Sequence, residues 1–322
     1  MLISITAIII GFGLLIWGAD RFVIGASATA RNLGVSPLII GLTIVGFGTS
    51  APEMLVSGLA AWYGNPGISV GNAIGSNITN IGLVLGITAL IIPITVNSEI
   101  LRREFPLLFV FMMLALWLMS DNYLSWWDGL ALIGGMFAMI TWVVMIGLRS
   151  RESDPMKAEF EEELTETMSS GKATFWLLVG IIVLLVGSRS VVWGATEIAI
   201  SLGISDLVIG LTIIAIGTSL PELAATIMCV YKKEHDIAIG NIVGSNMFNL
   251  LGVLGLPGLI HPFAFPAETL SRDFGVMVAL TVALFIMSLG LKKGAGRINR
   301  FEGGALLISW CAYMGWIYTT SV

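Results

Sequence analysis

The chain has 322 residues, 56% of them hydrophobic and 11% charged, with a mean hydropathy of +0.93. That composition excludes an ordinary soluble domain and describes a chain that crosses a membrane many times. The net charge of −5 is small and the basic residues fall in short separate loops, which excludes a nucleic-acid-binding face.

Apolar stretches long enough to cross about 30 Å of hydrocarbon recur ten times, at about 2–30, 37–62, 68–91, 104–119, 124–148, 173–200, 206–230, 236–259, 272–290 and 301–320. Polar or turn-forming segments separate them. The first stretch lacks the basic flank and A-x-A site of a signal peptide and reads as a retained helix. Cys229 and Cys311 lie in separate apolar runs and read as small buried hydrophobes, not a disulfide. Arg21 and Arg189 fall inside spans, where snorkelling or pairing near helix ends is expected.

The chain is a tandem duplication with a fixed offset of 169 residues. Residues 34–53, GVSPLIIGLTIVGFGTSAPE, match residues 203–222, GISDLVIGLTIIAIGTSLPE, at 13 of 20 positions. Residues 71–80, GNAIGSNITN, match residues 240–249, GNIVGSNMFN, at six of ten. With five spans per half, the second half enters the membrane from the opposite face. The expected fold is an all-α polytopic membrane protein, with ten transmembrane helices as two inverted five-helix repeats and broken helices at the midplane. The halves are 1–149 and 173–322, with repeat cores at about 34–90 and 203–259. Residues 150–172 form an acidic linker that lacks the D-x-D-x-D-G spacing of a calcium loop and is expected on the cytoplasmic side.

With these crossings, thirteen of the 16 lysines and arginines fall in loops on one side, Arg272 alone on the other. By the positive-inside rule the thirteen mark the cytoplasmic side. Both termini are then expected outside the cytoplasm, in a multi-pass protein of the inner membrane.

The chemistry concentrates in the two repeats. Pro52 and Pro221 lack an N–H and crowd the carbonyls four residues back, so each GTS-x-PE segment is expected to break or kink its helix and free the carbonyl of Gly48 or Gly217. Glu53 shares a helical face with Thr49 and Ser50, and Glu222 with Thr218 and Ser219. The second motif places Asn72, Ser76 and Asn80, and likewise Asn241, Ser245 and Asn249, at every fourth residue, one polar stripe per helix. The same stripe serves a structural reading, interhelical hydrogen bonding, which weighs most for Asn72, Asn77, Asn241 and Asn246. Gly71, Gly75, Gly240 and Gly244 form G-x-x-x-G patterns suited to close helix approach.

A carboxylate in mid-bilayer costs on the order of 2.5–3.5 kcal/mol, and no basic residue in these four spans neutralises the pair. A bound cation or protons must do so. Two carboxylates match a divalent ion, and with the carbonyls of Thr49 and Thr218 and the amides of Asn80 and Asn249 they offer about the 6–8 oxygens Ca²⁺ takes. No cysteine or histidine stands among these candidate ligands, which argues against zinc or copper.

These four blocks resemble the repeats of the calcium/cation antiporters, the sodium/calcium exchanger superfamily, and on them the chain is identified as a bacterial member. The resemblance implies that Glu53 and Glu222 bind Ca²⁺ and Na⁺ in alternation. It implies sodium-ligand roles for Thr49, Ser50, Ser76, Thr218, Ser219 and Ser245, with carbonyls near Gly46 and Ala215 contributing. It also implies alternating access by sliding of spans one and six. Asn249 departs from the pattern, since many exchangers carry aspartate there. The central charge is then two, and exchange of Ca²⁺ for Na⁺ competes with Ca²⁺/H⁺ or potassium-dependent Na⁺/Ca²⁺ exchange.

No enzyme is expected. The chain has no G-x-G-D-type aspartate pair, serine–histidine arrangement or H-E-x-x-H, and no G-x-x-x-x-G-K-[ST] loop for a nucleotide-driven pump. No cofactor and no obligate protein partner are expected, only the transported ions and the lipid bilayer.

Overall fold

The computed structural model describes residues 1–96, 98–152, 168–202, 215–289 and 296–321. Among them, helices dominate: α1 (Leu2–Leu33), α2 (Pro37–Ile40), α3 (Gly46–Trp62), α4 (Gly67–Thr79), α5 (Gly86–Ile91), α6 (Ser98–Leu118), α7 (Trp126–Glu152), α8 (Ser170–Ser201), α9 (Ala215–Thr218), α10 (Leu220–Tyr231), α11 (His235–Phe248), α12 (Leu254–Ile260), α13 (Gly275–Ser288) and α14 (Arg300–Ser321). Single π-helical turns join several of them: Gly41–Val45 between α2 and α3, Asn80–Leu85 between α4 and α5, and Asn249–Val253 between α11 and α12.

Seven stretches among the described residues are long and apolar enough to cross a membrane: Leu2–Leu33, Pro37–Trp62, Gly67–Ile91, Trp126–Ile146, Ser170–Ser201, His235–Ile260 and Thr269–Ser288. Three expected spans fall short of that. Glu104–Leu118 and Leu220–Tyr231 are shorter apolar helices, and residues 203–214 of the expected 206–230 span lie outside the described residues. In α14 the glycines, tryptophans and tyrosines dilute an otherwise apolar 22-residue helix. Most of the acidic linker, 153–167, also lies outside the described residues.

The chain packs as two compact units, Met1–Thr49 with Ala138–Asn241, and Ser50–Phe137 with Ile242–Val322. Each draws on both halves of the sequence, so the packed units and the duplicated segments are different divisions of the chain.

In the first unit α1 packs along α8 at glycines that admit the opposing backbone. A Cβ at Gly11 would meet Gly187 O at 2.8 Å, one at Gly18 would meet Leu184 N at 3.0 Å, and one at Gly194 would meet Ser4 O at 2.5 Å. Gly25 is in turn against Leu177 N. Partner numbers fall as α1 numbers rise, so the helices are antiparallel. They also correspond at the 169-residue offset: Gly11 and Gly18 are the counterparts of Gly180 and Gly187, and Gly180 lies against Phe22. Arg21 stacks over Trp176, 4.9 Å from the ring centroid, and lies 3.7 Å from Asp20, the pairing expected of an arginine within a span. Lys232 also reaches Asp20, at 2.7 Å.

The second unit contains two short antiparallel ribbons, β1 (Ile94–Val96) with β4 (Gly296–Ile298) and β2 (Tyr123–Leu124) with β3 (Phe263–Ala264). Its glycines fit the same rule of close approach: a Cβ at Gly86 would meet Leu307 N of α14 at 3.0 Å, and one at Gly258 would meet Gly129 Cα at 3.1 Å. Cys229 is buried and Cys311 is exposed on α14, both as free thiols. The expectation of burial therefore fails for Cys311, because an apolar face turned to lipid accepts a thiol as readily as a core does.

The two prolines behave differently. Pro221 begins a new helix: α9 ends at Thr218, Ser219 is non-helical at φ −89 ψ 4, and α10 starts at Leu220. Pro52 sits inside an unbroken α3, so of the expected break or kink the first half shows no break. The difference has a cause in the sequence. The carbonyl displaced by Pro221 belongs to Gly217 and accepts a hydrogen bond from Ser188 Oγ of α8 at 2.7 Å. The residue 169 positions before Ser188 is Ala19, which has no hydroxyl to offer Gly48. Pro52 offers Gly48 no N–H whether its helix runs on or opens, so the Ser188 hydroxyl is what sets the second half apart.

Candidate functional site

In the first unit the relevant groups are Thr49, Glu222, Ser219 and Asn241. Thr49 is 1% exposed, and its Oγ1 lies 3.1 Å from Val45 O and 3.0 Å from Asn241 Oδ1. Asn241 donates through Nδ2 to Thr226 Oγ1 at 3.0 Å, tying the start of α3 to α10 through one amide. Gly41 and Gly240 meet closely here, a Cβ on either lying 3.0 Å from the other's Cα. Glu222 is buried in the first turn of α10, where unpaired N–H groups and the helix dipole favour negative charge. The Pro221 break thus gives its glutamate a helix N-terminus. Ser219 Oγ is buried and has no hydrogen-bond partner among the described residues. Thr218 is half-buried and Gly46 buried; Ala215 is the first residue of α9.

In the second unit, α3 carries Ser50 and Glu53, both buried. Asn72 of α4 donates through Nδ2 to Glu53 O and to Ser57 Oγ, each at 3.0 Å, and Ser69 Oγ donates to Ser57 O at 2.9 Å. The backbone beneath the glutamate is therefore clamped to α4. Ser76 Oγ reaches Asn72 Oδ1 at 3.4 Å, as the four-residue stripe predicts. Nothing among the described residues approaches a Cβ at Gly71 or Gly75, so close approach through G-x-x-x-G is seen here only at Gly240; Gly210, the counterpart of Gly41, lies outside the described residues.

Asn80 and Asn249 each open a π-helical turn, a local widening that recurs at functional sites. Asn80 Nδ2 donates to Asn246 Oδ1 at 3.1 Å and Asn249 Nδ2 donates to Asn77 Oδ1 at 3.0 Å. The 169-residue offset turns one of these bonds into the other. For Asn77 and Asn246 the sequence leaves a structural and a site role equally open; the repeated GSN triplet is their signal. Ser245 is fully buried on α11, one residue before Asn246.

Within these groups, Ser50 Oγ, Glu53 Oε2, Asn80 Oδ1, Asn249 Oδ1 and Ser219 Oγ are buried oxygens without a hydrogen-bond partner among the described residues. Native proteins leave few such atoms. All five belong to residues that the sequence offers as oxygen ligands, the atom type a hard cation takes.

The sodium/calcium exchanger protein family matches residues 3–145 and 172–319. The chain belongs to that family, and so is an antiporter of the sodium/calcium exchanger kind and a multi-pass membrane protein. It is 48% identical over 320 residues to CaxA of Alkalimonas amylolytica, covering 99% of this chain and 100% of that one. It is 41% identical over 324 residues to the inner membrane protein YrbG of Escherichia coli (strain K12), covering 98% of each. Among solved structures it is similar to the sodium–calcium exchanger NCX_Mj soaked with Na⁺ and Ca²⁺, at a TM-score of 0.82 and 33% identity over 98% of each chain.

Proposed function

We propose that this chain exchanges Ca²⁺ for Na⁺ across the inner membrane, extruding Ca²⁺ down the sodium gradient. Glu53 and Glu222 carry the negative charge that the cargo requires. Thr49, Thr218, Asn80 and Asn249 complete the Ca²⁺ shell. Ser50, Ser76, Ser219 and Ser245, with carbonyls at Gly46 and Ala215, serve Na⁺ together with the two threonines. The observation that carries this reading is the set of buried, unpartnered oxygens on Ser50, Glu53, Asn80, Asn249 and Ser219. Such oxygens gain most when a dehydrated cation replaces the missing hydrogen bonds.

Ten crossing helices in two inverted halves, 1–149 and 173–322, are part of the proposal. The antiparallel run of α1 against its counterpart α8 supports it, as does the reciprocal asparagine exchange. α1 and α8 then act as the sliding pair that exposes the ions to alternate sides, with both termini outside the cytoplasm. The glycine-lined seam between them supports that role, because close backbone packing lets the two helices move together as one body across the core.

The test is flux in proteoliposomes. Uptake of radiolabelled Ca²⁺ driven by an outward Na⁺ gradient is expected; uptake driven instead by a pH gradient in sodium-free buffer overturns sodium coupling. Terminal tags accessible to protease in spheroplasts check the orientation.

A further inference from the structure

We infer that Asn77 and Asn246 are positioning residues that fix the ion-facing chemistry of Asn249 and Asn80, and that they hold those two positions to a neutral amide. The inference rests on the proposal that Asn80 and Asn249 meet the cargo through Oδ1.

An asparagine side chain presents an oxygen on one edge and an N–H₂ on the other, and only the oxygen serves a cation. Which edge turns toward the ion is decided by what holds the opposite edge. For Asn249 the holder is Asn77 Oδ1, 3.0 Å from its Nδ2; for Asn80 it is Asn246 Oδ1, 3.1 Å away. In both, the donor edge is taken and Oδ1 is left buried without a partner.

Asn77 is itself pinned. Its Nδ2 donates to the backbone carbonyl of Asn246 at 3.3 Å and lies 3.4 Å from Met277 Sδ. Turning Asn77 over would bring its oxygen against a carbonyl oxygen and a thioether, two acceptors. Its Oδ1 therefore faces Asn249 by necessity, and it admits a donor there. All four asparagines are 1% exposed, so water does not relieve a mismatch.

An aspartate at position 249 has no N–H. One of its oxygens would lie against Asn77 Oδ1 at about the present hydrogen-bond distance, acceptor against acceptor in a low dielectric. Residue 77 thus selects what residue 249 can be. The charge of two that the sequence assigns to this centre is a property of the asparagine pairs as well as of Asn249.

The experiment is a double-mutant cycle read by the Ca²⁺ half-saturation of exchange and by Na⁺ competition, on wild type, Asn249→Asp, Asn77→Ser and Asn77→Ser/Asn249→Asp in proteoliposomes. Asn249→Asp alone is expected to raise Ca²⁺ half-saturation about tenfold, a typical coupling between contacting residues. Adding Asn77→Ser, whose hydroxyl donates to the carboxylate, is expected to recover most of that loss and to shift the Na⁺ competition relative to wild type. A merely structural Asn77 gives a double variant worse than either single one, which overturns the inference; so does Asn249→Asp matching wild type with Asn77 intact. If Asn77→Ser fails to fold, the mirror cycle of Asn246→Ser with Asn80→Asp decides by the same criteria. Failure of the ligand reading is separate: Asn80→Ala and Asn249→Ala with unchanged Ca²⁺ and Na⁺ dependence would remove it.

Discussion

Ser188 Oγ donates to Gly217 O over 2.7 Å, and through that bond the helix broken at Pro221 is held to α8. Both ends of the bond lie in the first unit. The bond satisfies the carbonyl that proline displaced, and it links α8, the proposed sliding helix, to the segment that ends in Glu222. Ser188→Ala is expected to cost roughly 1–3 kcal/mol by leaving a buried carbonyl unpaired and to slow exchange, while Ser188→Thr retains both. Thermal unfolding in detergent and flux in proteoliposomes measure the two effects.

Glu53→Gln and Glu222→Gln remove the charge that the proposed exchange places on the cargo while preserving side-chain volume. Each is expected to abolish Na⁺-driven Ca²⁺ flux. Ca²⁺ should stabilise the wild type by about 2.7 kcal/mol at a concentration about a hundredfold above its Kd, and should leave both variants unshifted. Full flux in either variant contradicts the proposed site.

At the α1–α8 seam a single methyl group is enough to disturb packing. A Cβ at Gly180 would lie 2.5 Å from Phe22 N and Cα, whereas at Gly13 nothing described comes within 4 Å. Gly180→Ala should therefore destabilise by roughly 1–3 kcal/mol, the range of overpacked cores, and reduce the rate of exchange. Gly13→Ala should do neither. Melting temperature and turnover, measured side by side, distinguish them.

Asn72 and Asn249 are matched in type but differ in task. Asn72 clamps Glu53 O and Ser57 Oγ, so Asn72→Ala is expected to lower stability by roughly 1–3 kcal/mol with Ca²⁺-over-Na⁺ preference nearly unchanged. Asn249→Asp should change that preference. Ion competition on both variants checks the ranking, and equal shifts in selectivity would count against it.

The thiols offer a direct test of packing. Cys311 is exposed and Cys229 is buried, so N-ethylmaleimide should add once to the native protein in mild detergent and twice after SDS denaturation, as read by intact mass. Cys311→Ser should remove the native adduct.

Much of the proposed site is legible in the sequence because duplication prints it twice. Glu53 and Glu222 stand out as acids in apolar runs, and the four-residue stripe predicted the Asn72–Ser76 pair. Asn77 and Asn246 could not be ranked that way, since a buried asparagine used as a ligand and one used to orient a ligand look alike in one dimension. The two prolines, alike in sequence, differ in outcome for a related reason. Proline displaces a carbonyl in either half; Gly217 has a hydroxyl brought to it from α8, 29 residues away in the chain, whereas the matching position for Gly48 is Ala19.

The sequence by itself determined that the chain is a membrane protein, that it is duplicated, and that each half buries an acid beside hydroxyls and amides. Those properties follow from residue type and spacing, which local chemistry reads directly. Tertiary structure alone decided which edge of each amide is engaged, which proline breaks its helix, and which glycines face a neighbouring backbone. Each of these depends on what a distant segment brings within about 3 Å, the range over which hydrogen bonds and close packing act.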